Sequence, residues 1–229
     1  MKAKAKFKLG VDVAMTFLML GQMGYHMMDN RMHEWTGITL IALFILHHVL
    51  NIGWHRGLRR GRYPAQRILL TAIDVLLTLT MLTVAVSAVL VSRSAFDFLG
   101  LHMRAIGRRI HMPATMWFFV LIGLHMGLHL QTMLAAPRRK HPWMQSAAAA
   151  WLGRLAAVLI FAYGAYVFFA RELYMELFML REFAFLDYGE PLIAFFADYA
   201  AITAAWALLS YALSRAFQKI NERKRGKTS

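Results

Sequence analysis

Six stretches of this chain are each about 20 residues long and apolar enough to occupy the hydrocarbon core of a bilayer, about 30 Å thick. They fall near Leu9–Met28, Glu34–Trp54, Arg67–Val91, His111–Leu134, Ala148–Phe169 and Pro191–Leu213. With them, 59% of the 229 residues are hydrophobic, too many for an ordinary soluble domain of this size. Inside lipid each segment has to satisfy its own backbone polar groups, and apolar runs of this length do so as helices. The expected fold is all-α, a polytopic membrane helix bundle.

A net charge of +14 invites a nucleic-acid reading, but the distribution of that charge excludes it. Basic residues collect in alternate connections: Lys2 to Lys8, Arg56 to Arg67, Arg138 to Lys140, and the tail from Arg215 to Lys227. The other connections hold only Arg31, then Arg93, Arg104, Arg108 and Arg109, then Arg171 and Arg181. Such asymmetry places both termini in the cytoplasm. The basic loops read as topology signals and contacts for anionic membrane lipid. The first apolar run follows lysines, as a signal peptide would, yet "GYHMMDN" after it offers no small-residue cleavage site. It reads as a retained helix. Cysteine is absent, which removes disulfides, iron–sulfur clusters, thiolate-bound metals and covalently attached haem.

The first four runs read as two related halves. "DVAMTFLML" (Asp12–Leu20) and "DVLLTLTML" (Asp74–Leu82) share Asp, Val, Thr, Met and Leu in register. The second and fourth runs correspond through "LHHVLN" and "LHMGLH". This is a parallel repeat of one hairpin; chance likeness among apolar segments is the plainer alternative. Two domains follow: residues 1–140 as a four-helix core, and 141–229 as two further transmembrane helices. The latter carry an extracytoplasmic connection and a basic cytoplasmic tail. That connection, "RELYMELFMLREFAFLDYGE", mixes acids with aromatics and suits an amphipathic helix at the outer interface.

Histidines carry the chemistry. His33 and His47 are 14 residues apart, and so are His111 and His125. Fourteen residues rise about 21 Å and turn almost four full revolutions, so each pair shares one helix face. The two helices run in one direction, which sets His33 level with His111 at the outer side and His47 level with His125 at the inner side. Two His–His levels suit two haems suspended between facing helices. With both axial positions filled, such a group passes electrons and leaves no open site for oxygen.

Each residue in this scheme has a competitor. His129 lies one turn beyond His125 and takes a neighbouring or propionate-contact role, its repeat counterpart being Asn51. His48 points about 100° from His47. His26 could replace His33, while His55, His102 and His141 read as solvated loop residues. Gly10 and Gly24, again 14 apart, with Gly21 nearby, would let a flat macrocycle approach the first helix. Ordinary small-residue packing explains them equally well. The third helix offers Ala72, Ala85, Ser87 and Ala88 instead. Arg31, Arg104, Arg108 and Arg109 at the outer level, and Arg56, Arg59 and Arg60 at the inner, could pair with propionates, or could serve topology alone. Asp12 and Asp74 could relay protons near a quinone, but pairing with the loop arginines is the simpler expectation. The 16 methionines follow helical spacing and read as packing, not as a copper site.

On three stretches, "HEWTGITLIALFILHHVLN", "YPAQRILLTAIDVLLTLTML" and "RRIHMPATMWFFVLIGLHMGLH", the chain resembles the flavinylation-associated cytochromes. "REFAFLDYGEPLIAFFADYAAI" resembles the C-terminal part of longer members. Leu130 stands where that family's "LHLGLHW" ending would place Trp. The resemblance implies a four-helix cytochrome b-like core in the bacterial cytoplasmic membrane. It further implies two haem b groups and electron transfer outward to an extracytoplasmic flavoprotein or small acceptor. A cytoplasmic donor or quinol would supply the electrons, with quinone as a further cofactor. On this reading the chain is an electron-transfer component rather than an independent catalyst. Two alternatives are carried: a stand-alone quinol or superoxide oxidoreductase of cytochrome b type, and a His/Asp proton or metal transporter without haem.

Overall fold

In a computed structural model the chain is helical throughout the described residues, which are 3–101, 103–181 and 188–225. The α-helices are α1 (Ala3–Met23), α2 (Asn30–Leu50), the short α3 (Ile52–Gly57), α4 (Ala65–Val91), α5 (Arg104–Lys140), α6 (Ala147–Ala170), the short α7 (Leu173–Leu177) and α8 (Leu192–Arg225). Helix starts follow local chemistry. Asp29 caps α2 by accepting from Met32 N at 2.8 Å, and Ser146 caps α6 by accepting from Ala149 N at 3.1 Å.

Five helices, α2, α4, α5, α6 and α8, are long and apolar enough to cross a membrane. The protein is a multi-pass membrane protein. The sixth run expected, Leu9–Met28, is not among these five, because Lys6, Lys8 and Asp12 fall in every 18-residue stretch of α1. Large apolar side chains face outward along the helices: Phe17 is 72% exposed, Val86 65%, Tyr166 68% and Ile193 85%. Water would penalise such a surface, whereas lipid solvates it.

Two compact units form, interleaved along the chain. One comprises Met1–Arg62, Leu79–Thr115 and Glu176–Phe196; the other comprises Tyr63–Thr78, Met116–Met175 and Ala197–Ser229. In the first, α1 and α2 form an antiparallel hairpin in contact from end to end. Lys8 Nζ donates to Asn51 Oδ1 at 2.9 Å, and Gln22 Nε2 donates to Thr36 Oγ1 at 2.6 Å. Met19, Leu40, Phe44 and Met81 are buried in this unit.

In the second unit the Gly123-x-x-x-Gly127 segment of α5 lies against α8. A Cβ on Gly127 would overlap Ala207 O and Ser210 Oγ and lie 2.6 Å from Ala207 C; one on Gly123 would lie 2.7 Å from Trp206 Cβ. Only glycine permits this approach, the small-residue packing that membrane helices use where no hydrophobic force draws them together. Ser210 Oγ donates across the contact to Leu124 O at 2.7 Å. Gly164 on α6 meets Ala201 and Ala205 of α8 in the same way. Arg171 closes the end of α6 through Asp198, which accepts from its Nη2 at 2.6 Å and its Nε at 2.9 Å.

Candidate functional site

On a helix, residues two apart point about 200° from each other. His125 lies between Gly123 and Gly127, so the glycine face packed on α8 turns His125 to the opposite side of α5. There it meets α4: His125 Nδ1 lies 2.7 Å from Asp74 Oδ1. Independently, in the other unit, His47 Nδ1 lies 2.7 Å from Asp12 Oδ1 across the α1–α2 hairpin. Asp12 and Asp74 are the matching residues of the sequence repeat, as are His47 and His125. One carboxylate–imidazole pair has therefore been made twice. The expectation that these aspartates serve the loop arginines is corrected: each holds a histidine instead.

A carboxylate on Nδ1 fixes the proton there and leaves the Nε2 lone pair as the ligating atom. Asn51 Nδ2 lies 3.5 Å from His47 Nε2, too long for a good bond, and donates to His47 O at 2.9 Å. His129 lies against His125 with ring centroids 4.7 Å apart, which suits a neighbouring role.

His33 and His111 belong to one unit. His111 Nδ1 lies 3.1 Å from Ser87 Oγ. That hydroxyl donates to Thr83 O at 2.7 Å and Val84 O at 3.0 Å, so it accepts from the imidazole. His33 packs edge-on against Tyr25, centroids 4.9 Å apart, and its buried Nδ1 has no hydrogen-bond partner.

Beside His33, Glu34 holds the connection after α4. Its carboxylate accepts from Arg93 N (2.7 Å), Ser94 N (3.2 Å), Ala95 N (2.7 Å), Ser92 Oγ (2.8 Å) and Ser94 Oγ (2.7 Å). Asn30 Nδ2 adds a further donor at 2.6 Å. Sequence reading passed over Glu34 and noted Ser87 only for its size. The signal for Glu34 was there: a lone acid in the first turns of an apolar helix needs partners.

Other expected residues lie as follows. Gly10 is exposed and a Cβ on it would meet nothing within 4 Å, whereas the ring of Phe195 lies 3.3 Å from that position on Gly24. Arg31 and Arg108 are exposed near the starts of α2 and α5, and Arg104 pairs with Asp97 at 2.6 Å. His26, in a 3₁₀ turn after α1, faces Phe195 and Tyr188 and has a buried, unpartnered Nε2. His55, expected to be a solvated loop residue, lies in α3, and its Nε2 is 3.0 Å from His48 Nδ1. His102 and residues 182–187 of the "RELYMELFMLREFAFLDYGE" connection lie outside the described residues.

The donor set fits haem better than a bare metal ion. Three of the four expected ligands have Nδ1 held by an acceptor, and the fourth, His33, has a buried Nδ1 without a partner. Among the described residues no group of three or more His, Asp or Glu side chains converges as a metal cage. No family model, curated protein or solved structure matches the chain.

Proposed function

We propose that this protein is a bis-histidine dihaem membrane cytochrome of the flavinylation-associated kind, carrying electrons across a bacterial cytoplasmic membrane. His33 with His111, and His47 with His125, would hold the two haem irons. The observation that carries the reading is the state of the imidazoles: acceptors hold Nδ1 of His47, His111 and His125, which directs Nε2 to a metal. Bound haem b supplies a one-electron couple at each level.

The chain's own residues do the rest. The matched Asp–His pairs support the two-hairpin core, and α1, running the full length of α2, supports a sixth membrane-embedded helix. With six, the basic loops and both termini face the cytoplasm. Arg31 and Arg108 would hold propionates at the outer level. An apolar groove of about 330 Å³, lined by Phe44, His48, Val49, His55, Met81 and Ala85, supports a quinol as donor alongside a cytoplasmic one. The acceptor is an extracytoplasmic flavoprotein or small molecule.

A pyridine haemochrome assay on detergent-purified protein tests the reading. Two haems per chain are expected. None would overturn it in favour of the second reading, a proton relay through the Asp12–His47 and Asp74–His125 pairs.

A further inference from the structure

The four imidazoles differ in the charge of the group that holds them. His47 and His125 each present Nδ1 to a carboxylate at 2.7 Å. At the other level His111 has a neutral hydroxyl at 3.1 Å, and His33 Nδ1 has no partner. The remaining charges do not reverse this contrast. Glu34, beside His33, turns its carboxylate to the amides and hydroxyls of residues 92–95 and makes no bond to an imidazole. Near His47, Lys8 is engaged by Asn51 Oδ1.

An imidazole that donates to a carboxylate is the more basic ligand, because the hydrogen bond pushes electron density toward the metal. It stabilises the oxidised iron and lowers the potential; a hydroxyl, making a neutral and weaker bond, does so less. We propose that Asp12 and Asp74 are positioning residues that hold the His47/His125 couple below the His33/His111 couple in potential. Electrons then run from the cytoplasmic level to the outer one. The inference rests on the dihaem reading above and adds to it the residues that set the order of the two potentials.

The contrast between a charged and a neutral acceptor corresponds to roughly tenfold in a one-electron equilibrium, about 59 mV. Potentiometric titration of the purified holoprotein, followed in the visible spectrum, should resolve two components. Asp12→Asn and Asp74→Asn should each raise the lower one by about that much and leave the higher one in place. Asp12→Glu and Asp74→Glu, which keep the charge, should recover part of the shift. Ser87→Ala should move only the higher component, and by less.

Asn variants that keep both haems with neither midpoint moved, or with only the higher one moved, would overturn the proposal and leave the dihaem reading standing. If the Asn variants lose haem, the charge-keeping Asp12→Glu and Asp74→Glu proteins decide: each must keep both haems and move only the lower midpoint, and a lower midpoint that stays in place, or a shift of the higher one alone, overturns the proposal. Wild-type protein without haem would sink the functional reading and this inference together.

Discussion

Replacing Gly127 with alanine adds one methyl group where α5 meets α8. Its carbon would lie 2.6 Å from Ala207 C and overlap Ala207 O and Ser210 Oγ. Carbon atoms pack at about 3.5–4.0 Å, so the two backbones must part by about 1 Å. The atoms in the way are backbone, which has no rotamer to yield. Overpacking of this kind costs about 1–3 kcal/mol. Separation also breaks the Ser210 Oγ to Leu124 O bond, and interhelical bonds in membranes contribute about 0.6 kcal/mol on average. The sum is about 2–4 kcal/mol, which for a chain of this size lowers the melting midpoint by about 5–15 °C.

Fluorescence-detected size exclusion after stepwise heating in detergent measures that midpoint. Gly153→Ala on α6 is the control, since a Cβ there would meet nothing within 4 Å. A Gly127→Ala protein that melts with the wild type would show that α5 and α8 do not touch at this position. The argument for how His125 is aimed would fall with it.

Glu34→Gln removes the charge from a carboxylate that accepts three backbone amides; about 1–3 kcal/mol of local stability should be lost, and hydrogen–deuterium exchange at Arg93, Ser94 and Ala95 should quicken. Unchanged exchange would mean the clamp does not hold that connection in solution. His125→Ala should lose the haem of the cytoplasmic level, while His129→Ala should keep both with one midpoint shifted, read from reduced-minus-oxidised spectra; the opposite result would move the ligand by one turn. Green fluorescent protein fused after Ser229 should fluoresce, and an active periplasmic phosphatase at the same place would invert the topology.

Hydropathy located the membrane-crossing helices but not their ends. α5 was expected over His111–Leu134 and runs Arg104–Lys140; α8 was expected to stop near Leu213 and reaches Arg225. Apolar periodicity marks what lipid covers, whereas arginine, lysine, glutamine and glutamate continue a helix well beyond it. The histidines stand out in the sequence because they repeat at a 14-residue interval in two apolar runs. Their carboxylate partners were not, since any basic group would satisfy an aspartate as well on charge alone. Register held the missing signal: Asp12 lies 17 residues before Asp29 and His47 lies 17 after Asn30, so a tight α1–α2 turn sets them opposite each other. The Gly123–Gly127 spacing was also readable as a close-packing motif.

The polar groups of α1 bear on how the chain enters its membrane. Lysine and aspartate each oppose insertion by about 2.5–3.5 kcal/mol near the middle of a helix and by less toward its ends. A segment carrying Lys6, Lys8 and Asp12 is therefore a poor substrate for the insertion machinery by itself. Asn51, His47 and Thr36, the residues that answer Lys8, Asp12 and Gln22, all lie on α2 or directly after it, in the segment synthesised next. On the six-helix reading proposed above, α1 waits at the interface until α2 emerges, and the two cross as one hairpin. A ribosome stalled before residue 51 should leave α1 accessible to aqueous thiol labelling at an introduced cysteine, and one stalled well beyond it should not.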